Sequence, residues 1–229
     1  MKRFGFFTAA LLFCAQVSLS QVRVGLTGGL NFSEADQSSF YYSKASSSTG
    51  YIIGGVLDYP VTKNLSLLIE PTYSEKGTSS QPIHYQNNIS KVTFDLSYFE
   101  VPVLLKYSVG RDVRPYLLLG STFGFNLSSN LGAEIRGPWF GQLEVETGAG
   151  NAVRDLECSV EFGGGVSFQL DEYLALFIEA RYAHALSNTI RHGMIIVSVA
   201  DESTSGEGPG NAYYRNKGLK LMAGFTFPL

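Results

Sequence analysis

The sequence predicts an all-β fold, an eight-stranded antiparallel up-and-down transmembrane β-barrel. Three observations predict it: period-two alternation of apolar and polar residues, an unusual composition, and connections that alternate between short and long. Charged residues make up 16% of the 229 residues and aromatic residues 13%, with 25 glycines. A typical soluble domain has about a quarter of its residues charged. Composition alone also fits a soluble β-sandwich, so the strand pattern and the connections must decide.

The N-terminus predicts export. Lys2 and Arg3 precede an apolar run from Phe4 to Val17, and small residues follow at Ser18-Leu19-Ser20. This arrangement is typical of a cleaved signal peptide and is too short to span a bilayer. We therefore expect residues 1–20 to be a signal peptide and residues 21–229 to form one outer-membrane β-barrel domain.

The first four strand candidates are residues 22–32, 51–60, 65–76 and 92–107. In the first and third, apolar residues alternate with small, polar or charged ones, as in a strand with one greasy face. The fourth is irregular, since Leu96 and Tyr98 are in one phase while Val103 and Leu105 are in the other. Such a slip reverses every side chain beyond it, so the sequence predicts a bulge near Tyr98–Phe99.

The last four strand candidates are residues 113–127, 155–170, 173–185 and 218–227. Each has one greasy face and one face of small, polar or charged residues. In the fifth, for example, Leu117 and Phe123 share one face while Arg114 and Thr122 lie on the other. Glycines fall inside several of these strands, where they suit the sharp curvature of a small barrel.

The connections sort by length. Residues 61–64, 108–112 and 171–172 are short links, whereas residues 33–50, 77–91, 128–154 and 186–217 are long and polar. Short periplasmic turns and long external loops are typical of outer-membrane barrels. A soluble sandwich gives no reason for this alternation. An even number of strands then predicts that both termini are periplasmic.

The charged faces predict which side points outward. An Arg or Lys that faced lipid at the midplane would cost roughly 2–4 kcal/mol, whereas charges inside a narrow barrel can pair across the lumen. Eight strands enclose just enough room for side chains to fill. The sequence therefore predicts a filled polar lumen. Its candidate ion-pair network comprises Glu70, Glu100, Lys106, Glu161, Glu179 and Arg181.

A family resemblance agrees with this interpretation. The run YFEVPVLLKY at residues 98–107 resembles the signature of PorT-like outer-membrane β-barrel proteins of Bacteroides-type Gram-negative bacteria. Residues 114–116 (RPY), 161–166 (EFGGGV), 178–182 (IEARY) and 220–227 (KLMAGFTF) resemble further strands of that family. The resemblance implies an eight-stranded outer-membrane barrel and no known activity. The chain departs from the usual terminal aromatic, because Pro228-Leu229 follow Phe227.

The sequence predicts no enzyme, cofactor, catalytic or metal site. The signal peptide removes Cys14, which leaves Cys158 alone, and no phosphate-loop or HExxH motif occurs. A lipid-modifying triad of His184, Ser187 and Glu179 fails, because the acid lies five residues along the same strand from the histidine, roughly 16 Å away.

The expected role is structural or one of surface recognition through the long loops, where Trp139 and Phe140 are contact candidates. Expected partners are outer-membrane lipid and lipopolysaccharide, the barrel assembly machinery during insertion, and a protein or glycan at the loops. Nucleic acid is not expected, since the net charge is −3 and no basic cluster occurs. The alternatives are a narrow pore for small solutes and a subunit of a secretion assembly.

Overall fold

Eleven antiparallel strands form the described part of the chain, which in this computed structural model comprises residues 22–37, 45–80, 83–85, 88–137, 141–148, 153–189 and 214–229. The strands are β1 (Arg23–Gln37), β2 (Ala45–Pro60), β3 (Leu65–Ile69), β4 (Thr72–Ser80), β5 (Ile83–Tyr85), β6 (Asn88–Ser108), β7 (Val113–Gly137), β8 (Gly141–Gly148), β9 (Leu156–Gln169), β10 (Ala175–Ala185) and β11 (Tyr214–Pro228).

Eight strand positions close into a ring. Around it the order is β1, β2, the in-line pair β3 and β4, then β6, β7, β9, β10 and β11, and β11 pairs with β1 to complete the circle. Strands β5 and β8 are extra, because among the described residues each pairs only with the end of a barrel strand, β6 and β7 respectively. The predicted fold class, an eight-stranded antiparallel barrel, is confirmed.

Proline divides the third barrel strand. The sequence predicted one strand over residues 65–76, but β3 ends at Ile69 and β4 begins at Thr72. Pro71 has no N–H to donate to the ladder. Its carbonyl still accepts from Gly55 N at 3.0 Å, and Glu70 N donates to Pro102 O at 3.2 Å. Both halves pair with β2 and β6, so they occupy a single position in the ring.

The faces of the barrel have the predicted orientation. Leu117 is 68% exposed and Ile53 60%, whereas Glu161 is 0% and Arg181 1% exposed. Apolar side chains therefore cover the outside as a belt, which includes Leu26 on β1 and Leu221 on β11. Among the described residues, no helix is long and apolar enough to cross a membrane.

The predicted bulge lies on the neighbouring strand. Ser97 of β6 pairs with Ser128 of β7 and Tyr98 with Asn126, so Leu127 of β7 is the extra residue. Strand β6 itself alternates without a slip, and Leu96 and Tyr98 both face inward. The register shift therefore lies where the sequence predicted a bulge, but the predicted phase slip within β6 was wrong, because it assumed that every large apolar side chain points outward. Leu96 and Tyr98 instead pack inside the barrel with Val153.

The barrel strands extend far past the apolar belt at one end, called here the hairpin end, opposite the short turns at residues 61–64, 109–112 and 170–174. Strand β6 stays paired with β7 out to Ile89 opposite Arg136, and β8 pairs with β7 over Asn130–Gly137. Much of the predicted loops 77–91 and 128–154 is therefore strand. The sequence pattern does not predict these strand segments, because no apolar face distinguishes them from loops.

Candidate functional site

A guanidinium at the centre of the lumen bridges several acids. Arg181 points inward from β10, and its Nη1 lies 2.5 Å from Oε2 of Glu70, which sits between β3 and β4. Nη2 contacts Glu179 on the same strand. Nη1 also lies 3.9 Å from Glu161 on β9. All four side chains are at most 1% exposed, so each charge depends on its partners rather than on water.

Two lysines continue this cluster toward the hairpin end. Lys220 Nζ on β11 lies 2.5 Å from Glu161 and 2.9 Å from Glu100. Lys76 Nζ on β4 lies 2.6 Å from Glu100 and 2.6 Å from Glu157. Acids and bases thus alternate along the axis, and Glu100 is shared by two lysines. We call the set formed by Glu70, Glu179, Arg181, Glu161, Lys220, Glu100, Lys76 and Glu157 the luminal charge chain.

Neutral donors stabilise the two ends of the luminal charge chain. At the hairpin end, Glu157 Oε2 accepts from Asn216 Nδ2 at 2.6 Å and from Thr189 Oγ1 at 3.1 Å. At the other end, Tyr116 OH donates to Glu179 Oε2 at 2.8 Å. Thr189 and Asn216 lie near the two ends of the connection between β10 and β11. Their hydrogen bonds to Glu157 therefore anchor both ends of this connection to the barrel.

An apolar layer lies between the luminal charge chain and the short turns. It consists of Val56, Leu68, Leu104, Tyr116, Leu118 and Phe177. Beyond it, Lys106 Nζ pairs with Asp58 at 2.7 Å and lies 4.6 Å from the Tyr116 ring centroid. The expected polar filling therefore has to be amended, because a cluster of apolar side chains is also buried in the barrel interior.

The structure brings five of the six predicted network residues into one connected set. Glu70, Glu161 and Glu179 meet at Arg181, and Glu100 joins them through Lys220. Lys106 does not join them and pairs with Asp58 instead. The site prediction omitted Lys76, Lys220 and Glu157. Their place in the period-two pattern could have found them, since each shares the inward face of its strand.

Two loop aromatics and a lipid-modifying triad were also considered from the sequence. Trp139 and Phe140 lie outside the described residues. Glu179 faces the lumen, whereas His184 lies on the opposite face of β10, and Ser187 Oγ accepts from Cys158 N at 3.0 Å. Within the described ranges, no group of three or more His, Cys, Asp or Glu side chains is placed to hold a metal ion.

A small cavity lies near the hairpin end of the lumen. It has a volume of about 10 Å³, and Asn31, Ser33, Lys76, Glu157 and Lys220 contribute to its walls. This space has room for about one water molecule.

Comparison with known families identifies the barrel. Residues 14–191 match the family model of the outer membrane protein β-barrel domain. The chain belongs to this family. Together with the outward apolar belt, membership places this outer-membrane barrel in a bacterial outer membrane. No curated protein matches the chain at a significant level.

Several solved structures are similar to this outer-membrane barrel. Ail, the attachment invasion locus protein of Yersinia pestis, is 12% identical with a TM-score of 0.38, over 90% of this chain and 98% of that one. OprG from Pseudomonas aeruginosa is 11% identical with a TM-score of 0.45, over 90% and 95%. Neisserial surface protein A is 13% identical with a TM-score of 0.40, over 90% and 97%. Likenesses at these scores carry no functional information.

Proposed function

We propose that this protein is a non-enzymatic outer-membrane barrel that presents its hairpin end at the cell surface for recognition. The observation that carries the proposal is the sheet of β6, β7 and β8, which continues well past the apolar belt. In this orientation the short turns and both termini are periplasmic. Outer-membrane lipid surrounds the belt, lipopolysaccharide borders the hairpin end, and the barrel assembly machinery inserts the chain.

The reach of this sheet supports a role outside the membrane. The belt on β7 ends near Leu127, and the strand continues through Ser128–Gly137. These residues extend about 33 Å along the strand at about 3.3 Å per residue. A protein that served only to fill the membrane would have no need of paired strands at this height. A protein or glycan partner could reach them without touching lipid.

The packing of the lumen argues against the narrow pore. The luminal charge chain and the apolar layer fill successive levels of the axis. Ions would have to break buried pairs and pass the apolar layer, in which the hydroxyl of Tyr116 is already bound to Glu179. We expect no stable conductance from the purified protein in planar bilayers, and steady open-channel currents would favour the pore.

We further infer that the chain belongs with the PorT-like branch of the family. The support is the sequence of residues 98–107, whose Glu100, Pro102 and Leu104 all face the lumen. Glu100 binds two lysines, so this block contributes to the scaffold. In the part of the chain that the structure describes, no residue outside this scaffold supports a role in a secretion assembly.

A truncation of the β7–β8 hairpin tests the recognition role. Asn130 and Gly148 are register partners, so residues 131–147 can be replaced by Asn-Gly, which favours a two-residue turn. The variant should keep the heat-modifiable gel mobility of a folded barrel. Wild type and variant are then compared in nanodiscs on a glycan array and by cross-linking on intact cells. We expect hairpin-dependent partners, and identical profiles for both proteins would overturn the proposal.

A further inference from the structure

We infer that the mouth of the lumen at the short-turn end binds a phosphoryl anion, either free phosphate or the phosphate group of a larger molecule. The charged inward side chains of this mouth, called here the basic mouth, are Arg23, Asp58, Lys106 and Arg114. The inference goes beyond the proposed function, because it concerns the end of the barrel opposite the hairpin end. In the proposed orientation the basic mouth opens toward the periplasm.

Strand ends bring these four side chains to one level of the barrel. Arg23 is the first residue of β1 and the register partner of Asp58 on β2. Lys106 lies near the end of β6, and Arg114 is the second residue of β7. Period-two alternation turns each of them inward, because each lies two or four residues from a buried side chain of its own strand, namely Thr27, Val56, Leu104 or Tyr116.

Three cations meet one acid in the basic mouth. In the part of the chain that the structure describes, Asp58 is the only acid at this level of the lumen, and its carboxylate pairs with Lys106 Nζ at 2.7 Å. Deeper in the lumen, Glu179 is already held by Arg181 and by the hydroxyl of Tyr116. Three positive charges against one negative charge leave an excess of two at this level.

The two arginines are bound only by neutral groups. Arg23 Nε donates to Thr226 Oγ1 at 3.1 Å, and its Nη2 donates to Thr226 O at 3.0 Å. Arg114 Nη2 donates to Ser108 Oγ at 2.8 Å. Among the described residues, neither guanidinium group forms an ion pair. Because a cleft lined by charges of one sign concentrates counter-ions, this excess favours the binding of an anion.

The charges of the short turns offset this excess only weakly. They comprise two cations and four acids, all of them exposed, namely Lys63, Arg111, Asp112, Asp171, Glu172 and the terminal carboxylate of Leu229. The Asp171 carboxylate is also occupied, since it accepts from the N–H groups of Tyr173 and Leu174 at 2.7 Å. Salt screens exposed charges over about 10 Å at 0.1 M and screens partly buried charges much less.

Two guanidinium groups approach each other across the basic mouth. Strands β1 and β7 stand on opposite sides of the ring, so Arg23 and Arg114 come from opposite walls. Arg114 is near enough to repel the charge of Arg23, and Asp58 attracts it from the neighbouring strand. An anion between the two walls would be bound from both sides and would relieve this repulsion.

A free donor of Arg114 provides a position for a ligand oxygen. Arg114 Nε is buried and has no hydrogen-bond partner in the structure. Buried polar groups are normally hydrogen-bonded, and an exception can indicate a bound water or ion. The guanidinium group is a planar fork whose N–H groups match the oxygens of a carboxylate or phosphate. Arg114 can therefore bind an oxyanion through Nε while its Nη2 keeps the bond to Ser108.

Charge and size favour a phosphate group over other anions. A phosphate monoester carries a charge of about −1.5 to −2 at pH 7 and has three acceptor oxygens, which matches an excess of two positive charges. A carboxylate or chloride carries a single charge and would neutralise half of the excess. An eight-stranded barrel has room for its own side chains or for one small ligand, so a small anion or the phosphate end of a larger molecule fits.

Titration of inorganic phosphate into the full-length protein tests the inference. The protein is held in nanodiscs of phosphatidylcholine, and isothermal titration calorimetry measures the affinity. Acetate and chloride are compared at equal ionic strength. Isotope-labelled arginine reports on the site directly, because the Nε–H signals of Arg23 and Arg114 should shift in the nuclear magnetic resonance spectrum as phosphate binds. This measurement uses the wild type, so it holds even if a variant does not fold.

We expect Arg23→Gln and Arg114→Gln each to weaken phosphate binding about tenfold, since each removes charged hydrogen-bond donors. Acetate and chloride should bind the wild type at least about tenfold more weakly than phosphate. Arg111→Gln is the matched control, because it removes the same charge from the exposed turn before β7. Its affinity for phosphate should stay within about twofold of wild type.

A second set of nanodiscs distinguishes the two sources of the phosphate group. When phosphatidic acid replaces part of the phosphatidylcholine, a lipid headgroup that fits the basic mouth would fill it and abolish the response to added phosphate. A site for a soluble ligand would keep its response. Either result supports the phosphoryl site and identifies its source.

Three results would overturn the inference. They are no binding of phosphate to the wild type, equal affinities for phosphate, acetate and chloride, and an equal loss of affinity in the Arg114→Gln and Arg111→Gln variants. The hairpin truncation leaves this end of the barrel unchanged. The proposed function therefore stands or fails independently of the basic mouth.

Discussion

The ammonium group of Lys220 lies 2.9 Å from Glu100, although β11 and β6 stand on opposite sides of the barrel. Arg181 and Glu70 are related in the same way, since β10 stands opposite the junction of β3 and β4. These ion pairs span the lumen and do not merely link neighbouring strands. They connect distant parts of the wall at the level where hydrocarbon surrounds it.

Loss of Arg181 should destabilise the barrel strongly. Arg181→Met removes the cation shared by Glu70 and Glu179 and leaves both carboxylates buried without it. Breaking a buried pair from one side costs about 3–5 kcal/mol. The free energy of unfolding from lipid vesicles in urea measures the loss. Arg111→Met, in the exposed turn between β6 and β7, should change it by less than about 0.5 kcal/mol.

Two neighbouring glycines should respond oppositely to alanine. A Cβ at Gly29 would lie 2.1 Å from Leu221 O and 2.8 Å from the Met222 Cα, so Gly29→Ala should cost at least about 1–3 kcal/mol through overpacking. A Cβ at Gly28 would meet only Ile52 O at 3.6 Å. Gly28→Ala should therefore be neutral or stabilise by up to about 1 kcal/mol, since alanine restricts the unfolded chain.

The same unfolding assay separates these variants. If the two substitutions had equal effects, the close approach of the β11 backbone would not be the reason for Gly29. The comparison is well matched, because the two positions are adjacent in β1 and differ chiefly in the face of the barrel that they occupy.

An arginine on the outer face should lower the free energy of unfolding by an amount that depends on its depth in the bilayer. Leu119→Arg introduces a charge near the middle of the belt on β7, at a side chain that is 59% exposed. It should cost about 2–4 kcal/mol in lipid vesicles. Val113→Arg, at the short-turn end of the same strand, should cost no more than about 1 kcal/mol. Equal costs at both positions would contradict the placement of the belt across the membrane.

Removal of the Glu157 carboxylate should loosen the ends of the last connection. Glu157→Ala deletes the acceptor for Thr189 and Asn216. Hydrogen bonds to a charged group contribute about 1.5–3 kcal/mol each, so amide exchange at residues 186–189 and 214–217 should accelerate about tenfold or more. Glu34→Ala is the control, since its pair with Lys217 spans 4.0 Å and the Glu34 side chain is 49% exposed. If both variants exchange alike, the anchoring role of Glu157 is wrong.

Alternation along the strands made most of the barrel predictable. A single physical argument, that charged residues avoid lipid, assigned Glu161, Glu179 and Arg181 to the lumen before any contact was known. It could not say which acid meets which base. Those contacts depend on how far neighbouring strands are offset along the barrel axis. This offset is fixed only when β1 and β11 pair and close the ring. Lys76 and Lys220 were on the predicted inward faces, yet nothing local marked them as partners of Glu100.

The errors have a common physical origin. Leu96 and Tyr98 are apolar and were assigned to the lipid side, with a phase slip after them, but both face the lumen. A pattern of polar and apolar residues cannot distinguish an apolar side chain that faces lipid from one that packs inside the barrel. Similarly, β8 and the outer part of β7 have no lipid to face. Their pairing therefore leaves no trace in the spacing of apolar residues.

The ion pairs that span the lumen also constrain how the protein is built. Each joins the first half of the polypeptide to the second, Glu70 to Arg181 and Glu100 to Lys220. Pairs within each half, Lys76 with Glu100 and Arg181 with Glu179, neutralise part of the charge. Glu70 and Glu157, however, pair with cations of the other half, Arg181 and Lys76 respectively. Closure of the ring between the first and last strands therefore completes the neutralisation of the lumen.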